Sequence, residues 1–215
     1  MKRSAILIAF IVSTIISCNN AANNGSAATK KTDSATASSK VDPAPKMDSA
    51  TMAKKWQEFM TPGEMHKILA SWNGQWSSEI TMWPDPKKAN QKMTSTADYT
   101  MIMGGRYSQS IIKGDMMGMP FEGIGIYGYD NAKKVFVASW VDNLGTGIMY
   151  MEGPWDAASK TITLKGKMTD PISGKETEMR EVLTMQDDKH QTMEMYAPGP
   201  DGKEYKNMEL HSEKK

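Results

Sequence analysis

The chain has 215 residues, 26 basic and 25 acidic side chains, and a formal net charge of +1. A balance this close to neutral gives no electrostatic footprint for nucleic acid. The single cysteine, Cys18, has no partner for an internal disulfide, so any folded part must rest on its own core.

The chain opens on Met1-Lys2-Arg3, followed by an apolar run from Ala5 to Ile16 and then Ser17-Cys18. A basic start, a short apolar stretch and a small residue before a cut site describe a secretory signal peptide over 1–17. The run is too short for a transmembrane span. Ile15-Ile16-Ser17-Cys18 also fits a bacterial lipobox, which makes Cys18 the lipidated first residue of the mature protein. One acyl chain anchors only marginally, but a multiply acylated cysteine holds firmly. The expected location is therefore the bacterial cell envelope, on the outer membrane facing the periplasm. Asn19 is not the aspartate linked to inner-membrane retention in some bacteria. Cleavage removes Lys2 and Arg3, so the mature charge falls from +1 to near −1.

Residues 18–46 are Ala, Asn, Ser, Thr and Lys with almost no large apolar side chain, the composition of a disordered linker. About 28 such residues span on the order of 30 Å end to end. Residues 47–74 read as a helical lead-in. Asp48 is a plausible N-cap for a helix over 48–60, in which Met52, Trp56 and Met60 recur at helical spacing. Thr61-Pro62-Gly63 interrupts it. A second short helix, 64–72, carries Met65, Ile68, Leu69 and Trp72 on one side and stops at Asn73-Gly74.

From Gln75 to the end at 215 the apolar pattern changes to period two. Runs rich in Thr, Ile, Val, Tyr and Met are punctuated by Gly, Asn, Asp or Pro about every ten residues. The expected strands are 75–83, 93–103, 106–114, 119–129, 134–142, 147–154, 160–167, 176–186, 190–197 and 203–212. Ten sequential antiparallel strands after one or two short helices predict a mainly β protein. Its architecture is an up-and-down barrel, because closure removes sheet edges.

Specific residues sharpen this. Thr61-Pro62-Gly63-Glu64-Met65-His66-Lys67 and Gly74-Gln75-Trp76 begin a set that continues with Pro120-Phe121-Glu122-Gly123-Ile124-Gly125-Ile126-Tyr127-Gly128-Tyr129-Asp130. Trp140-Val141-Asp142-Asn143 with Gly145, and Met195-Tyr196-Ala197-Pro198-Gly199-Pro200-Asp201-Gly202-Lys203-Glu204, complete it. Together they resemble the bacterial domain-of-unknown-function family 1579 across roughly 61–212. The resemblance implies a calycin-like barrel, related in shape to lipocalins and nitrobindins, and no known activity. Gly74-Gln75-Trp76 is also similar to the Gly-x-Trp opening of lipocalin-like barrels, in which the tryptophan plugs the closed end.

Four Met-x-Met pairs stand out: Met101/Met103, Met117/Met119, Met149/Met151 and Met193/Met195. Side chains two apart share one strand face. Thioethers can hold Cu(I), but no His or Cys cluster accompanies them, and a flexible core or adaptable cavity explains them better. His66, His190 and His211 match no haem pattern and read as surface or capping residues, so no cofactor is expected. Among the charges, Glu181 alternates with Met179, Leu183 and Met185 and so projects from the apolar face. It needs a partner or a raised pKa, and Arg106 is a candidate partner. Arg180 beside it and Glu122 are further charges of interest. Asp142 follows Trp140 by two, placing an aromatic beside a carboxylate at a strand end. There is no nucleophile elbow, and Gly123, Gly125 and Gly128 lie in a strand rather than in a phosphate-binding loop.

The leading expectation is a membrane-anchored barrel binding a small apolar molecule. Its expected site is Trp76, Arg106, Glu122, Tyr127, Trp140, Asp142, Met151 and Glu181. One alternative is an enzyme using Glu181, Asp142 or Glu122 as acid or base. The other is a structural or interaction module with a filled core. Oligomeric state is left open.

Overall fold

The computed structural model describes residues 47–215, so the signal peptide, Cys18 and the linker lie outside the described residues. Two helices lead in, as expected. α1 spans Ser49–Met60, with Asp48 as N-cap accepting from the Thr51 amide at 2.9 Å. α2 spans Glu64–Ser71 and buries His66 and Leu69. Among the described residues no helix is long and apolar enough to cross a membrane.

The rest is one antiparallel sheet of eleven strands: β1 Gly74–Met82, β2 Gln91–Ile102, β3 Tyr107–Met116, β4 Met119–Asp130, β5 Val135–Asp142, β6 Met149–Gly153, β7 Trp155–Asp156, β8 Thr161–Thr169, β9 Glu176–Met185, β10 His190–Pro198 and β11 Glu204–Lys214. Strands consecutive in sequence pair with one another except β6 and β7, which both lie on β8. β1 pairs with β11 and β6 pairs with β8, which closes the sheet into a barrel. The eleventh strand, β7, lies just past the strand expected over 147–154 and continues its line beyond Pro154. Pro154 has no N–H to give the ladder, so the line breaks there. Both pieces keep the same register on β8: Glu152 faces Lys165, the Pro154 carbonyl accepts from Thr163 N, and Trp155 faces Ile162.

Alternation decides what points inward. One wall presents Phe136, Met151, Ile162, Leu164, Met179 and Leu183, all buried. The wall made by β1 to β4 is lined with small side chains, among them Ser78, Ser95, Ser108 and Ser110. Large residues from elsewhere fill the space these leave. Trp140 lies so close over β4 that a Cβ on Gly123 would stand 2.3 Å from its ring. α2 covers one end of the barrel, inserting Leu69 and Trp72 into the core. Trp76 is buried at this same end, as the Gly-Gln-Trp signature implied.

α1 is held differently. It buries no residue. Asn131, in the β4–β5 turn, donates its amide to the carbonyls of Glu58, Phe59 and Thr61 at 3.0, 3.2 and 2.8 Å. Arg106, after the β2–β3 turn, donates to the Met60 carbonyl at 2.7 Å and to the Met103 carbonyl at 3.1 Å. The bonds to Glu58, Phe59, Met60 and Thr61 satisfy carbonyls that a helix C-terminus leaves unpaired.

Candidate functional site

Period two in β9 turns Glu181 inward between Met179 and Leu183, and its side chain is 4% exposed. β4 turns Tyr127 to the same interior, where its hydroxyl donates to Glu181 Oε1 at 3.0 Å. The expected partnership with Arg106 does not form, because that guanidinium is spent on the two carbonyls outside the barrel. Burial therefore dominates and raises Glu181 from 4.5 to about 7, with the Tyr127 bond pulling the other way. Tyr99 is pushed up to about 12 by burial and by the Glu181 charge, against which the neighbouring Gln191 side chain acts. Tyr127 rises well above its ordinary value for the same two reasons, burial first.

An aromatic layer covers this pair. Trp72 packs edge-on to Tyr127 and Tyr99, with ring centroids 5.3 and 6.1 Å apart. Trp76 meets Tyr99 edge-on and donates its indole N–H to the Trp72 carbonyl at 2.7 Å. Trp72 itself is 2% exposed, and its own indole N–H has no partner. The side-chain oxygen of Gln191, 5% exposed, is also unpaired, as is the Ser108 hydroxyl. Each unpaired buried group costs about 1–3 kcal/mol.

Two concavities reach this cluster. A cavity of about 440 Å³ opens beside α2, between the turn after β7 and the turn before β10. Trp72, Trp76, Ile68, Trp155, Met185 and Gln191 line it, with Glu64, Lys67, Lys160, Asp187 and Asp188 also on its walls. A larger groove, about 1130 Å³, is lined mostly by exposed polar side chains of the sheet, such as Glu79, Lys92, Thr94, Lys113 and His211. Both reach Gln191, but only the smaller also reaches Trp72.

The structure brings together three of the expected site residues, Trp76, Tyr127 and Glu181, at the α2 side of the interior. Met151 is buried in the core. Trp140 and Asp142 stand toward the opposite end, where the indole N–H donates to Asp142 Oδ2 at 2.8 Å and Trp140 stacks on Phe121. Asp142 Oδ1 accepts from the Leu144 amide at 2.9 Å, so this carboxylate anchors a loop. Glu122 is exposed on the outer face, 4.0 Å from Lys113. Arg180 is also outward, clamped by Glu204 at 3.0 and 2.6 Å and lying over the Tyr196 ring.

The methionine pairs divide. Met149/Met151 and Met193/Met195 pack in or against the core. Met103 and Met117 instead sit in hairpin turns at φ 50° and 56°, largely exposed, so their pairs share no strand face. His66 is buried rather than on the surface. Its Nδ1 accepts from the Gly63 amide at 3.0 Å, a cap on α2, and burial and then Arg106 lower its pKa. Among the described residues no three His, Cys, Asp or Glu side chains gather as a metal site. Sequence reasoning missed Tyr99 and Gln191 as site residues. Tyr99 has the parity of buried Ala97, and Gln191 that of Met193 and Met195.

The fold and this buried cluster define a closed up-and-down β-barrel of calycin-like shape with polar groups walled into an apolar interior. Residues 61–214 match the family described as Protein of unknown function (DUF1579), and the chain belongs to it. No curated protein matches the chain. Solved structures of similar shape include a redesigned β-barrel, 10% identical, covering 71% of this chain and 99% of its own, at a TM-score of 0.39.

Proposed function

We propose that this is a lipid-anchored envelope protein whose barrel binds a small, largely apolar molecule with one neutral polar end. The Ile-Ile-Ser-Cys18 sequence after an apolar leader supports the anchor, and the outer membrane facing the periplasm is its proposed seat. One observation carries the binding: a cavity with an apolar floor of Ile68, Trp72, Trp76, Trp155 and Met185 and a charged rim touches two buried residues with unpaired polar atoms, the indole N–H of Trp72 and the amide oxygen of Gln191. A few polar groups in a mostly apolar cavity are the usual means of orienting a ligand. Both atoms are covered in this structure, so a hydroxyl, amide or protonated carboxyl end accepts from Trp72 and donates to Gln191 only once those side chains turn toward the cavity. A carboxylate could do only the first. Of Glu181, Asp142 and Glu122, weighed as acid or base, none lines the cavity, so binding is favoured over catalysis.

Native mass spectrometry of protein taken from its own membrane should show a bound small molecule. Trp72→Phe keeps the ring packing but removes the N–H, so retention should fall about tenfold, the loss of one hydrogen bond of ordinary strength. A bare protein mass for the native chain sinks the reading.

A further inference from the structure

α1 is a helix without a visible reason to be folded. Isolated helices of its length are marginal in water, and most gain their stability by packing an amphipathic face. α1 buries no residue. Its four hydrogen bonds to Asn131 and Arg106 fix only the C-terminal end and set the helix at one place on the barrel. Its apolar residues nevertheless form a stripe: Met52, Trp56, Phe59 and Met60 fall at helical spacing and all are exposed, Trp56 by 58%. A further exposed apolar residue of the barrel lies near its end. The Arg106 guanidinium that holds the Met60 carbonyl also holds that of Met103, whose side chain is 70% exposed.

The surroundings indicate what covers this stripe. Lys54 and Lys55 lie on the helix, and Lys133 and Lys134 follow Asn131 in the turn that grips it, so with Arg106 these segments carry five cations against the four carboxylates of Asp48, Glu58, Asp130 and Glu152. Apolar and aromatic residues on one face with lysines beside them are the features of a helix lying in a membrane interface, and tryptophan favours that depth. Only 28 residues separate Cys18 from Met47, and the linker expected from their composition, about 30 Å end to end, would keep α1 within reach of the bilayer.

We propose that α1, with Met103, is the surface on which the barrel rests against its own membrane. The Trp56 face would lie among the lipid headgroups and the neighbouring cations would meet anionic lipid. This rests on the lipid anchor at Cys18. Mature protein should be reconstituted into vesicles of phosphatidylethanolamine and phosphatidylglycerol that include bromine-labelled acyl chains. The expected result is quenching of part of the tryptophan emission, and loss of that quenched part in Trp56→Phe, an exposed position where folding is unaffected. Equal quenching of both proteins overturns the proposal. So does a concentration-dependent dimer that Trp56→Phe breaks, since a second copy would then cover the stripe. The acyl mass on the mature N-terminus separates the two ideas. If it is absent, the anchor fails and takes this inference with it. If it is present while Trp56 is unquenched, only the membrane contact of α1 fails.

Discussion

Glu181→Gln should stabilise the protein at pH 8, by about 1–3 kcal/mol relative to the native chain, and should do so far less at pH 5. The folded state holds the Glu181 proton up to about pH 7, whereas the ordinary value is 4.5. Between those two values the folded state binds more protons than the unfolded chain, so stability falls as pH rises. Below 4.5 both states are protonated and nothing is lost. Above 7 the full cost of a buried carboxylate is present, and the shift sets its upper size at about 3 kcal/mol. Glutamine can still accept from Tyr127 and never ionises. Other groups titrate in the native chain as well. His66, with its lowered pKa, contributes in the opposite direction, gaining stability as pH rises toward 6.5. That contribution is common to both proteins, so the difference between their urea midpoints at pH 5 and pH 8 isolates Glu181. If the variant is the less stable one at pH 8, the carboxylate has a favourable partner and its raised pKa is not a desolvation effect.

The reason Glu181 could be found in advance is also the reason its environment could not. Period-two alternation is a local property, and it places Glu181 on the apolar face from Met179, Leu183 and Met185 alone. What faces it across the barrel depends on strand order and tilt, which no local pattern encodes. Arg106 was a chemically sensible partner in a suitable strand position, but a guanidinium can equally satisfy a helix end, and the carbonyls of Met60 and Met103 claimed it. The same limit explains the methionines. Met149/Met151 and Met193/Met195 follow the spacing rule because they sit within strands. Met101/Met103 and Met117/Met119 break it because a hairpin turn with positive φ falls at Met103 and at Met117. Strand number and the two helices were legible because turn chemistry and alternation agree along the whole chain. Pro154 was a readable warning inside 147–154, since a proline demotes a strand. Gln191 is polar and sits one residue into its strand, so only its parity with Met193 and Met195 marks it as inward.

Gly153→Ala should lower the melting temperature by roughly 6–12 °C, and Gly166→Ala should do the same, the largest effects expected of any single methyl group in this protein. A Cβ on Gly153 would stand 1.8 Å from the carbonyl oxygen of Thr163, and one on Gly166 would stand 2.1 Å from that of Tyr150. Both obstacles are backbone, so no side-chain rotation relieves them, and the two strands would have to separate. They are β6 and β8, whose direct ladder has three paired positions, Tyr150–Lys167, Met151–Gly166 and Glu152–Lys165. This is the seam that turns the sheet into a barrel. Overpacking of this kind costs about 3 kcal/mol where the surroundings cannot move, and each kcal/mol shifts the midpoint by about 2–4 °C for a domain of this size. Gly147→Ala is the matched control: nothing lies within 4 Å of its Cβ, so its stability should stay within about 0.5 kcal/mol of native, a midpoint shift of about 2 °C or less. A second readout follows from topology. Parting β6 from β8 exposes two unpaired edges, so the seam variants should form larger species on size-exclusion chromatography at temperatures where the control remains native. Seam variants that melt with the native protein would mean that β6 and β8 approach less closely than this barrel requires.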